Sequence, residues 1–175
     1  SSPPMSEWID LTMRISEESP TLPPLHPKAE FEDFATLEED GYNSTMLHME
    51  THCGTHMDAP CEFLPKNESR TIDEVTVDEM VAEGVICKFT DKEPNDSISR
   101  EELEEQAEQY DLSAGEYLII DCGMKPEDTD LYKRNYVYPE KESVEYMVEK
   151  DIACLAMDAP SVDKWNVPFD ELYIH

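Results

Sequence analysis

Three short apolar runs, VICKF (85–89), EYLIID (116–121) and IACLAMD (152–158), recur along the chain with helical patterns between them. Strands alternating with helices indicate an α/β domain, and this succession constrains the fold more than any other feature. Ser99 followed by Glu102 forms a capping box that opens the helix REELEEQAEQY. KESVEYMVEKD reads as an amphipathic helix with Val144, Met147 and Val148 on one face, and TVDEMVAEG as a short helix closed by Gly84. WIDLTMRI is expected as a first strand and STMLHMET as a later one; SPTLPPLHP, with four prolines, is a loop. No linker or repeat marks a boundary, so residues 1–175 are taken as a single domain. Asp121 and Asp158 close two of the strands, a place in α/β folds where chemistry is favoured.

Charge narrows the function classes. Asp and Glu number 42 against 13 Lys and Arg, a formal net charge of −29, and the excess is spread along the whole chain. Runs such as EFEDF and EELEEQAEQY sit among apolar residues, which describes an acidic surface on a folded body. Self-repulsion of that size opposes a compact state unless salt screens it, so a halophilic, salt-adapted protein is expected. With no Lys/Arg stripe to neutralise phosphates, nucleic acid is excluded as a partner. No apolar run approaches the ~20 residues of a membrane span, and no signal peptide is seen. Cys53, Cys61, Cys87, Cys122 and Cys154 are odd in number, without CxxC pairing, and mostly apolar in context. They read as free thiols in a reduced cytoplasm.

The chemistry concentrates in THCGTHMDAPCEF, residues 51–63. His52 and His56 stand four apart, but Gly54-Thr55 between them and Pro60 after them argue against a helix. A strand running into a bend would let the glycine curl the backbone until both imidazoles converge. His56 and Asp58 share a face if the chain is extended there. Two neutral imidazoles and a carboxylate make a borderline N/O donor set suited to zinc or manganese. A carboxylate can also bridge two ions roughly 3.5–4 Å apart. The bland alternative is a polar turn that happens to hold histidines; His48, on the preceding strand, is taken as structural.

HCGTHMDAPCEF closely resembles the signature His-x-Gly-Thr-His-x-Asp-x-Pro-x-His-Phe of the metal-dependent cyclase superfamily, which includes bacterial-type kynurenine formamidases and isatin hydrolases. The likeness extends to WIDLTMRISEESPTLP, GEYLIIDCGM, LAMDAPSVD and FDELYIH. It implies a compact swivelling β/β/α domain assembled as a homo-oligomer. It implies that His52, His56 and Asp58 ligate a first divalent ion, zinc or manganese, with Asp58 bridging to a second ion that His175 helps to hold. The implied reaction is hydrolysis of a small-molecule amide or lactam by hydroxide held on the metal.

Two departures bear on that expectation. Glu62 stands where the family carries its catalytic histidine, so it is a general base, an extra ligand, or the mark of a changed or lost activity. The chain also ends at His175 where family members continue, which implies a truncated form or an incomplete second metal site. Lactonase or ring-closing activity in the same site, and a catalytically silent metal- or ligand-binding role, are the competing readings. Ser161 resembles a nucleophile only superficially and is expected to turn the chain, and Cys53 and Cys61 are read as packing.

Overall fold

The computed structural model describes residues 9–19, 26–125 and 136–164. The chain divides into two compact units, Ser1–Met57 and Asp58–His175.

In the first unit, strand β1 (Glu30–Ala35) pairs antiparallel with β2 (Ser44–His48), with Phe31 opposite Leu47 and Glu32 opposite Met46. The register shifts between Asp33 and Ala35. A one-turn helix, α1 (Leu37–Asp40), joins the two strands; the Thr36 side chain accepts the Glu39 N–H at its start. Gly41 closes it in the left-handed region at φ 79°. The acidic run EFEDF thus becomes a strand, its phenylalanines supplying the β preference that its carboxylates lack.

The expected first strand is not one over its described residues. Residues 9–16 form no ladder, and Ile9 and Leu11 lie open to solvent. Their polar backbone is satisfied otherwise: the Thr12 N–H donates to Asp10 Oδ1 (2.9 Å) and the Met13 N–H to Thr55 Oγ1 (3.0 Å).

The second unit is built on three parallel strands in the order β3 (Gly84–Lys88), β5 (Tyr117–Asp121), β7 (Cys154–Met157). Parallel neighbours need a crossover, and two helices provide them. Helix α2 (Arg100–Gln109) lies between β3 and β5 in sequence, and α3 (Lys141–Glu149) between β5 and β7. Along β3 and β5 alternate side chains go inward, so Val85, Cys87, Leu118 and Ile120 join Leu103, Ala107, Tyr146 and Met147 in one core. Ile86, on the other face, is half exposed. Burial of a Leu or Ile of this kind stabilises by roughly 1.5–3 kcal/mol each.

Two short strands, β4 (Ser97–Ile98) and β6 (Tyr138–Pro139), pair in parallel immediately ahead of α2 and α3. The Ser99 hydroxyl and Glu102 carboxylate form the capping box of α2 as the sequence requires. The fully buried Ser143 of α3 donates its hydroxyl to Ile98 O at 2.7 Å, tying the two helix starts together.

Two sequence expectations are corrected. Residues 76–84 form no helix closed by Gly84; the stretch holds one 3-10 turn, Val77–Met80, preceded by another at Ile72–Glu74. Val77 and Val81 remain exposed, so a longer helix there would bury nothing. Gly84 belongs to β3, where a Cβ would lie 3.2 Å from Tyr117 O. On α3 the buried face is Ser143, Tyr146 and Met147, while Val148 is exposed. Tyr146, with more apolar surface to bury, packs in the core where Val148 does not.

Candidate metal centre

The motif is one continuous stretch of chain, so its geometry is set locally. After β2, residues 51–55 run through successive bends and 56–59 carry no regular structure. Gly54 takes φ 69°, a left-handed conformation costly to any residue with a Cβ, and a Cβ there would stand 3.1 Å from Ile15 Cγ1. Beneath the turn Cys53 is buried, and Thr55 holds residue 13 through its hydroxyl.

That bend brings His52, His56 and Asp58 together, with one donor atom from each all within 4.8 Å of one another. His52 Nδ1 and His56 Nε2 are 3.2 Å apart. His56 Nδ1 lies 2.9 Å from Gly54 O, and the tautomer that donates this hydrogen bond leaves the Nε2 lone pair aimed at the cluster. Metal–ligand bonds near 2.1 Å in a tetrahedron put neighbouring donors roughly 3–3.5 Å apart, so the set fits a divalent ion with slight closure. His52 is half-buried while His56 and Asp58 are exposed to solvent.

The remaining residues singled out by sequence fall in distinct places. Glu62, exposed, closes a turn in which its N–H donates to Ala59 O, and it is not one of the three grouped donors. His48 Nε2 lies 3.7 Å from Glu32 across the β1–β2 ribbon. Asp158 spends both oxygens on backbone, accepting the Cys122 N–H (2.9 Å) and the Met124 N–H (2.7 Å), and Asp121 accepts the Gly123 N–H. Both strand-end acids therefore shape the turn at 122–124. Ser161 Oγ accepts the Asp163 N–H, a turn role. His175 lies outside the described residues.

All five cysteines are free. Burial pushes the Cys87 thiol up to about 11, and burial together with Asp158 and Asp121 pushes Cys122 up to about 12. Both stay protonated at neutral pH and pack as small apolar groups. Burial, then the Asp58 carboxylate, also raises Cys154. A shallow groove of about 690 Å³ lined by Arg14, Ile15, Ser16, Glu17, Glu18 and Phe31 contains none of the three donors, so its size alone does not make it the site.

Two neighbours of the cluster escaped the sequence reading. Glu50 Oε1 accepts the His52 backbone N–H at 2.7 Å, and its Oε2 lies 2.8 Å from His26 Nδ1. Burial acts to raise the Glu50 carboxyl, but its hydrogen bonds with the His52 N–H and His26 outweigh this and lower it. The His26 and His52 rings meet edge to face, centroids 5.5 Å apart. Spacing could have pointed to Glu50, two residues ahead of His52; nothing local points to His26.

The chain belongs to the Cyclase family, described as "Putative cyclase", whose model matches residues 9–164. It is 28% identical over 161 residues to a kynurenine formamidase of Bacillus thuringiensis (strain Al Hakam), an alignment spanning 90% of this chain and 71% of the relative. Its fold is shared with an isatin hydrolase bound to the product analogue thioisatinate, at TM-score 0.79 and 18% identity over 89% of this chain and 68% of that one. A "predicted metal-dependent hydrolase" from Bacillus stearothermophilus superposes at TM-score 0.67 and 18% identity, over 92% of this chain and 73% of that one. The α/β architecture expected from the strand–helix succession is the family's.

Proposed function

We propose that the protein is a divalent-metal-dependent hydrolase that cleaves the C–N bond of an amide or lactam, of the N-formyl-arylamine or cyclic-amide class. The observation that carries this reading is the convergence of His52, His56 and Asp58 in a chain of the Cyclase family. The substrate class rests on relatives named kynurenine formamidase and isatin hydrolase. When bound, zinc or manganese supplies Lewis acidity, polarising a carbonyl oxygen and acidifying water. His52, His56 and Asp58 would hold the ion, and Asp58 and His175 are assigned to a second. In the reaction a water oxygen bonds to the carbonyl carbon, the C–N bond breaks, and a proton from the water ends on the departing nitrogen. We assign the carriage of that proton to the Glu62 carboxylate.

Elemental analysis of protein purified in high salt tests the centre, with one or two ions per chain expected. Hydrolysis of N-formyl anilides or isatin-like lactams should stop with a chelator and return with zinc or manganese. No metal after loading with either would overturn the reading. Glu62→Gln should keep the metal and slow turnover by about 10²–10⁴-fold; loss of metal would instead make Glu62 a ligand. Saturable stabilisation by these compounds without turnover would mark a binding protein, and turnover of lactones alone a lactonase.

A reduced cytoplasmic setting is supported by the five free cysteines. Homo-oligomer formation is supported by the apolar side chains left open on the β1–β2 ribbon, Phe34 and Leu47 among them. Light-scattering mass tests it. No helix of the described residues is long and apolar enough to cross a membrane.

A further inference from the structure

The two ring nitrogens of His52 face different neighbours. Nδ1 is the atom 3.2 Å from His56 Nε2, on the side of the three donors. Nε2 faces Glu50, whose Oε1 lies 4.0 Å away. The same Oε1 accepts the His52 backbone N–H, so one carboxylate oxygen fixes the main chain at the ligand and places negative charge behind its ring. The other oxygen, Oε2, is held by His26 Nδ1, from a segment 24 residues earlier. Glu50, His26 and His52 are all about three-quarters buried at their side chains, shielding these contacts from solvent more than a surface pair.

We propose that Glu50 is the positioning residue for the metal ligand His52, and that His26 locks Glu50 in that pose. The inference rests on the metal centre proposed above and concerns what sets its affinity. A carboxylate bonded directly to a ligand imidazole orients the ring, and its removal typically costs 10–100-fold in metal affinity; at 4.0 Å Glu50 acts through its charge and its bond to the main chain, so the lower end of that range is expected. Glu50 is not itself a donor, because it faces the nitrogen of His52 turned away from His56. His26 is a donor to Glu50, so a replacement that keeps a hydrogen-bond donor near Nδ1 should serve in its place. Asparagine does this; alanine does not.

The test is metal affinity, read by competition with a chelating dye for Zn²⁺ and Mn²⁺ at fixed pH on the full chain, alongside melting of the metal-free proteins. Glu50→Gln keeps an oxygen for the His52 N–H but removes the charge, and should weaken binding about tenfold with the metal-free melting temperature little changed. His26→Ala should weaken binding several-fold, and His26→Asn should recover most of it; a merely structural role would not show this rescue in affinity. Binding by Glu50→Gln and His26→Ala within twofold of the wild type would overturn the positioning role and leave the metal centre standing. Failure of the wild-type chain to bind either ion would overturn both.

Discussion

Gly54 shows how a single missing Cβ shapes the centre. Gly41 and Gly54 share a left-handed φ, 79° and 69°, but only Gly54 faces a neighbour, Ile15 at 3.1 Å from a would-be Cβ. Gly41→Ala should therefore cost only the backbone penalty, about 1 kcal/mol. Gly54→Ala should cost more, about 2 kcal/mol, and also weaken metal binding, because the bend at 54 sets the approach of His52 to His56. Thermal melts with and without zinc separate the two outcomes; equal losses in both variants, with unchanged metal response, would sever Gly54 from the site. The donors themselves are legible in sequence because they lie six residues apart at most and the glycine announces the bend. The Glu50–His26 support is not, since it joins residues 24 apart through side-chain rotamers that no periodicity encodes.

At the scale of elements, the crossover helices were readable because a capping box and an apolar stripe are local signals, and the apolar runs marked β3, β5 and β7. Misreadings fell where tertiary contact decides. The stretch at 76–84 has a helical composition but no core to cover, and β1 is written in carboxylates, its strand character fixed by pairing with β2. The opening box of α2 does further work through Lys92, whose ammonium lies 2.5 Å from Glu102 Oε1. That hydrogen bond, with the Ser99 N–H, holds the Glu102 carboxyl down to about 2 from 4.5. A depressed carboxyl stabilises the folded state above its unfolded pKa, and the contribution fades as pH falls from 4.5 through about 2. Wild type and Lys92→Met should accordingly differ most in stability above pH 5 and converge below pH 2, by denaturant titration across that range. A constant gap would remove Glu102 from the account. Because Glu102 is 44% exposed, the gap should shrink in high salt.

Among the described residues, Arg70 pairs with Glu79, Lys92 with Glu102, and Arg100 with both Glu104 and Glu149. Even if every Lys and Arg neutralised one acid, the formal excess of 29 negative charges would remain. At 1 M salt the screening length falls to about 3 Å, so the melting temperature should climb steeply between 0.1 and 2 M KCl. A flat response would exclude salt adaptation as the meaning of the charge. The β4–β6 bridge pairs Ser97 with Tyr138 and Ile98 with Pro139, directly ahead of both crossover helices. It couples the starts of the two helices across some forty residues of sequence, a long-range contact whose loop closure is expected to slow the folding of this unit.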